Sequence, residues 1–305
     1  MKFAIFGTGG MGAYFGGRLA RAGHDVTFIA RGNTLAALRA HGLRLESPTG
    51  NFTLNPVNAT DDTAQIGPVN CVLYCVKLYD VNGAAHQLLP LLRADTAVLA
   101  LQNGVDVADM LAPVIGRNHI LPGASYVNAH ITEPGFIQHR GGAGHIDFGE
   151  LDGQLSPRAQ IIIDAFASAG MEARFKPDII ESLWSKFVMV CGFAGIMALT
   201  RSPIGKLRDV PVTFALMGDA LREALAIARA SGINLPTDYD QTLLKMAQGL
   251  EPNVKASLLE DIEHGRRLEI DWFSGTIVRL GEKLGIPTPV HRVIHAALKP
   301  HVNGA

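Results

Sequence analysis

A single lysine interrupts the most apolar stretch of this chain. From Glu181 to Leu199 the sequence reads ESLWSKFVMVCGFAGIMAL, and Lys186 is its one cation. An ammonium carried into an apolar helix is costly unless a partner meets it, so Lys186 points to chemistry as well as to packing. The plainer alternative is a lysine whose stem lies on apolar surface while its head reaches water. A second group stands at the other end of the chain. GTGGMG places Gly7, Gly9 and Gly12 in a G-x-G-x-x-G pattern, directly after the apolar run KFAIF and before a helical pattern. There the first glycine permits a tight turn. The second lets backbone N–H groups approach a pyrophosphate, and the third lets helix and strand pack closely. This context predicts a dinucleotide site rather than a glycine-rich turn.

The end of the next strand selects the dinucleotide. A carboxylate about 20 residues past the glycines would hold the ribose 2′-hydroxyl of NAD. The sequence there is FIARGN, with Arg31 and no acid. A guanidinium fork can bind a 2′-phosphate that a carboxylate would repel, so the expected cofactor is NADP. Lys77, after the apolar run NCVLYCV, supplies a possible second cation; two solvated surface charges are the alternative. In LQNGV, Asn103 and Gly104 follow a strand that begins at Ala97. Ligands of open α/β sheets lie outside such carboxyl ends, where Asn103 could bond an amide, a carboxylate or a lysine. Asparagine is also common at strand-to-helix turns.

The elements that must position these groups fall into two regimes. KFAIF (Lys2–Phe6), DVTFIA (Asp25–Ala30), VNCVLYCV (Val69–Val76) and AVLALQ (Ala97–Gln102) read as buried strands, each followed by a helical pattern. Such alternation predicts a parallel, doubly wound sheet of Rossmann type. Asn33 is the expected N-cap of the second helix. Leu43 to Val57 reads as a hairpin turning at Pro48-Thr49-Gly50, and ASYVNAHI and GHIDFGE as further strands. Past roughly residue 175 the periodicity becomes helical throughout, including one long segment from SLLEDIEHGRR to LGEKLG. The expected organisation is a nucleotide-binding domain over residues 1–175 and an all-helical substrate domain over 176–305, divided near Pro177.

Taken in order, GTGGMG, Arg31, CVK ending at Lys77, LQNGV, LWSK and SLLEDIEHGRRLEID resemble the ketopantoate reductase family along essentially the whole chain. These are NADPH-dependent 2-oxo acid reductases of pantothenate synthesis. The glycine motif alone is shared by many dehydrogenases; the later motifs are far more specific. The resemblance implies that Gly7, Gly9 and Gly12 cradle the pyrophosphate and that Arg31 and Lys77 serve the 2′-phosphate. It implies that Asn103 and Lys186 meet near the nicotinamide and the substrate carbonyl. Ser257 matches a serine that binds the substrate carboxylate. Glu269 matches a glutamate that engages substrate and sets the environment of the lysine. Without the resemblance, Glu269 reads as a helix-surface acid paired with Arg266 or Arg267. The chemistry is coherent: hydride arriving at a ketone leaves an alkoxide, which a nearby ammonium stabilises and protonates.

The chain departs from the family at two positions. One and two helical steps of four past the lysine, the family usually carries asparagines that contact substrate; here they are Val190 and Ala194. Spacing of i, i+4 and i+8 places all three residues near one helix face. An apolar wall there predicts a 2-oxo acid less polar than ketopantoate, since only a pocket built to bond a hydroxyl selects strongly for it. The same chemistry run towards oxidation of a hydroxy acid, and a non-catalytic NADP sensor, are the alternatives.

The remaining features set bounds. Charged residues make up 18% and the net charge is −1, which argues against broad capture of nucleic acid or of an anionic membrane. The opening residues do not form a signal peptide, and three cysteines fit a reducing compartment, so a cytoplasmic protein is expected. Cys71 and Cys75 read as core thiols, and His291 and His295, four apart, fall short of a metal site. A homodimer is possible on the apolar helical half.

Overall fold

The computed structural model describes residues 1–141 and 144–304. Its strands are β1 (Lys2–Phe6), β2 (Asp25–Ile29), β3 (Leu43–Glu46), β4 (Phe52–Leu54), β5 (Asn58–Thr60), β6 (Cys71–Tyr74), β7 (Ala97–Ala100), β8 (Ile120–Tyr126), β9 (Ala129–Glu133), β10 (Phe136–His139), β11 (His145–Phe148) and β12 (Glu172–Phe175). The helices are α1 (Gly10–Arg21), α2 (Gly32–His41), α3 (Val81–Ala84), α4 (Val107–Ile115), α5 (Pro157–Ser168), α6 (Ile179–Thr200), α7 (Ile204–Arg208), α8 (Pro211–Ala230), α9 (Tyr239–Gly249), α10 (Ser257–Glu263), α11 (Ser274–Leu284) and α12 (Pro289–Leu298). The chain divides into two compact units. One comprises Met1–Gln102 and Asp106–Ser182, the other Asn103–Val105 and Leu183–Ala305. The division falls inside α6.

The first unit is the expected α/β architecture. Its main sheet runs in the order β12-β11-β8-β7-β6-β1-β2-β5 and is parallel except where β8 meets β11. The chain leaves β1 towards β2 and β5, then returns to lay β6 on the other flank of β1. That reversal makes the carboxyl ends of β1 and β6 a topological switch point, where such sheets bind ligands. Short apolar runs form these strands because both faces are covered: Phe3, Ile5, Phe28, Leu73, Leu99 and Phe166 are fully buried. Each such side chain contributes about 1.5–3 kcal/mol of burial.

The hairpin β3–β4 forms as expected, but it belongs to a separate four-stranded sheet, β4-β3-β10-β9. That sheet packs on the glycine-rich side of α1, where a Cβ on Gly17 would stand 2.8 Å from Leu43 Cδ2. Two local expectations need correction. Asn33 is not the N-cap of α2: the helix begins at Gly32, and Arg31, in extended backbone, occupies the cap. The chain turns out of β2 at once, through Gly32 at φ +55°, which leaves Asn33 inside the first turn. After β6 the predicted helix is largely 3₁₀, from Ala85 to Leu91, with Pro90 inside it denying an α-helical hydrogen bond.

The described residues of the second unit form helices and turns. Its centre is α6, long and apolar enough to cross a membrane, yet 61% of its apolar window is buried in the protein. A Cβ on Gly192 would lie 2.4 Å from Leu221 Cδ2 of α8, and one on Gly195 would lie 3.1 Å from Ile294 Cγ2 of α12. The small residues of CGFAG therefore let two helices approach this one. The segment read as one long helix is broken into α10 and α11. Gly265, at φ +61°, ends the first, and residues 264–273 form an irregular connection.

Candidate active site

The nucleotide end is built within the first unit. Gly7 adopts φ +98°, and a Cβ there would come within 2.9 Å of the backbone at Cys75 and Val76, so only glycine fits between β1 and β6. A Cβ on Gly12 would lie 2.3 Å from the Gly7 carbonyl oxygen, which is the close helix–strand approach the motif provides. Gly9 differs: nothing lies within 4 Å of where its Cβ would be. Gly9 is also the N-cap of α1; no side chain caps it, and the first turn carries no acid. The leading N–H groups of α1 thus have no side-chain cap, and open space adjoins them at Gly9, which suits a phosphate.

Beside this turn lies a cavity of about 450 Å³. Phe6, Gly7 and Thr8 line it from β1, Ile29 to Arg31 from β2, Asp61 from the end of β5, and Val76, Tyr79 and Asp80 from beyond β6. Thr8 Oγ1 donates to the Ile29 carbonyl at 3.0 Å and ties the turn to β2. The size, the open ground at Gly9 and the arginine on the wall fit the adenosine end of a dinucleotide. Arg31 is where the sequence placed it, with its guanidinium 3.8 Å from the Asp80 carboxylate. Lys77 is half-buried at the start of a 3₁₀ turn, and its neighbours Val76 and Tyr79 form the wall at that point. Sequence reasoning missed Asp61 and Asp80. The dinucleotide pattern points to an acid only at the end of β2, whereas the fold delivers carboxylates from the adjoining strand ends.

The other proposed site residues belong to the second unit. Asn103 follows β7 in sequence, yet Asn103–Val105 cluster with the helical unit, as Lys186 does. Asn103 is half-buried. Lys186 is also half-buried, on a stretch of α6 held from both sides in sequence. The Ser185 hydroxyl is hydrogen-bonded to the Tyr239 hydroxyl of α9, and Trp184 meets Phe187 edge to face at 5.5 Å. Along the face that starts at Lys186, Val190 is half-buried and Ala194 only 2% exposed, so the face closes into the core and stays apolar.

Glu269 is neither on a helix nor at the surface. It sits in the connection between α10 and α11 and is 5% exposed, and its carbonyl accepts from Trp272 N at 3.0 Å and Phe273 N at 3.2 Å. Arg266 turns instead to Asp261, at 2.8 Å. The reading of Glu269 as a helix-surface acid fails because Leu268, Ile270 and Phe273, all buried, draw the connection inward. Ser257 opens α10 and is exposed.

The thiols and histidines have structural surroundings. Burial pushes the Cys71 thiol up to about 12 and raises that of Cys75 further, so both stay protonated. His291 is fully buried between Ser274 Oγ (3.1 Å) and the Ala220 carbonyl (2.9 Å), while His295 meets Asp271 at 2.8 Å. The two rings serve different partners.

Comparison with known proteins agrees with this architecture. Residues 3–153 match the family model of ketopantoate reductase PanE/ApbA, and residues 178–302 match that of its C-terminal domain. A 2-dehydropantoate 2-reductase of Mesorhizobium japonicum is 30% identical over 320 residues, covering 98% of this chain and 97% of its own. A PanE/ApbA family ketopantoate reductase from Ralstonia eutropha JMP134 superposes with a TM-score of 0.91 at 35% identity, covering 99% of this chain and 98% of that one. A D-mandelate dehydrogenase solved with NADH and anilino(oxo)acetate shares the fold, with a TM-score of 0.91 at 21% identity and coverage of 99% and 98%. The chain belongs to the ketopantoate reductase PanE/ApbA family and is an oxidoreductase acting on CH–OH groups.

Proposed function

We propose that the protein reduces a 2-oxo acid to the 2-hydroxy acid with NADPH, and that its substrate is less polar than ketopantoate. The observation that carries the cofactor reading is the cavity at the switch point, with open ground over Gly9 and Arg31 on its wall. With its adenosine end held there, the dinucleotide would supply hydride from its reduced nicotinamide to the substrate carbonyl carbon. The protein's own residues then manage charge. The Lys186 ammonium hydrogen-bonds the carbonyl oxygen, stabilises the negative charge as it develops and transfers a proton to it. Asn103 orients that exchange by a neutral hydrogen bond. Glu269, carried inward by its connection, compensates the lysine charge. Ser257, at the start of α10, binds the substrate carboxylate.

The substrate reading rests on Val190 and Ala194. Both follow Lys186 on one face of α6, and neither can donate or accept a hydrogen bond through its side chain. A hydroxyl set against them would lose water without gaining a partner, whereas an alkyl or aryl group gains from leaving water. Steady-state kinetics with NADPH across a panel of 2-oxo acids of graded polarity tests this. Apolar members are expected to show the highest kcat/KM. Ketopantoate exceeding all of them by a large factor would sink the substrate assignment.

A further inference from the structure

Asp80 stands against the cation that a 2′-phosphate needs. Its carboxylate is 3.8 Å from the Arg31 guanidinium, and both residues line the nucleotide cavity, as does Asp61. The contact does little for the fold. The Arg31 side chain is 75% exposed and that of Asp80 39%, and ion pairs this open contribute little stability. Nor does Asp80 cap the helix it precedes: its side chain makes no capping hydrogen bond to α3. Among the described residues this open ion pair is the one side-chain bond of the Asp80 carboxylate, which leaves it placed to act on what the cavity holds.

The two nicotinamide dinucleotides differ at one position. A 2′-phosphate carries about −1.5 to −2 charges at neutral pH and seeks a guanidinium fork. A 2′-hydroxyl is a neutral donor that a carboxylate accepts. Arg31 therefore favours the phosphate, while Asp80 repels it, occupies the guanidinium in its absence and offers the hydroxyl an acceptor. Asp61 adds a second negative charge to the same wall.

We propose that Asp80 is a cofactor-selectivity residue: it opposes the preference that Arg31 creates for NADPH and keeps NADH a usable cofactor. The proposal rests on the reading that this cavity receives the adenosine ribose. Equilibrium binding tests it without turnover. Kd values for NADPH and NADH, by nucleotide fluorescence, and for 2′,5′-ADP and 5′-AMP, by calorimetry, are compared in the unmutated protein, Asp80→Asn and Asp80→Ala. Removing one negative charge a few ångströms from a dianion is expected to tighten NADPH and 2′,5′-ADP about tenfold in both variants. NADH and 5′-AMP should not gain. Unchanged or weaker NADPH binding in both variants, with the fold intact by circular dichroism, overturns the role of Asp80. An unmutated protein that binds none of the four overturns the nucleotide site itself, and this inference with it.

Discussion

The backbone of Ala129 closes over Gly10. A Cβ added to Gly10 would stand 2.1 Å from the Ala129 carbonyl oxygen. Ala129 opens β9 of the second sheet, so that sheet presses on the first turn of α1. One residue earlier, Gly9 has open space where its Cβ would be. Adjacent glycines of one stretch thus differ: packing fixes Gly10, whereas Gly9 borders open space, where the proposed phosphate would lie.

The pair separates stability from binding. Gly10 is the first residue of α1, where Gly10→Ala gains little helix propensity, and a backbone carbonyl cannot yield as a flexible side chain can. The expected net loss is about 1–3 kcal/mol, read as a lower midpoint in denaturant. Gly9→Ala should cost only the roughly 1 kcal/mol or less of an alanine at an N-cap, and should weaken NADPH binding, because the methyl enters the space a phosphate would use. NADPH affinity retained in a folded Gly9→Ala variant would contradict this assignment.

Lys186→Ala separates chemistry from cofactor binding. The nucleotide cavity is formed wholly by residues of the first unit, whereas Lys186 belongs to the second. Loss of the proposed proton donor should lower kcat by about 10²–10⁴-fold while the NADPH Kd holds. Undiminished kcat would reduce Lys186 to a lysine whose stem covers apolar surface.

Legibility followed locality. The strands β1, β2, β6 and β7 and the turn after β1 were readable because apolar runs and glycines specify them within a few residues. Arg31 was found for the same reason. Asp61 and Asp80 were not, since their relation to Arg31 exists only once β5, β2 and β6 lie in one region of the fold. Of the second sheet the hairpin β3–β4 was readable, but not its union with β9 and β10, since β9 is exposed along most of its length and carries no buried alternation. Only the family resemblance marks Glu269 in the sequence. The residues from Glu263 to Asp271 are rich in charge and look like a helix surface, and the signal against it was Gly265, whose positive φ ends α10.

The buried histidine predicts acid lability. Desolvation lowers the His291 pKa from 6.5 to about 4, so the folded protein holds the ring neutral where the unfolded chain protonates it. Its contribution is complete above pH 6.5 and is lost as pH falls towards 4. The loss is about 3 kcal/mol over that window. Glu223, which receives Val290 N and His291 N, has its pKa raised by burial and acts in the opposite sense. Comparison with His291→Gln therefore isolates the ring. Denaturation measured from pH 7 to pH 4 should show the unmutated protein losing more stability than the variant; parallel curves would refute the account.

Restoring polarity on the face above Lys186 tests the substrate reading most directly. Val190 is half-buried and Ala194 is 2% exposed, so the two positions carry different risks. Asparagine at 194 must displace core atoms and is expected to cost about 1–3 kcal/mol by overpacking. Val190→Asn has more room and is the cleaner variant. It places an amide one helical turn from the ammonium, where it can bond a hydroxyl on the substrate side chain. The ratio of kcat/KM for a hydroxylated 2-oxo acid to that for its deoxy analogue should rise by about 10–100-fold, with most of the change from poorer use of the apolar substrate. An unchanged ratio in a folded, NADPH-binding variant would mean that the substrate side chain lies elsewhere, and that the apolar face of α6 serves packing alone.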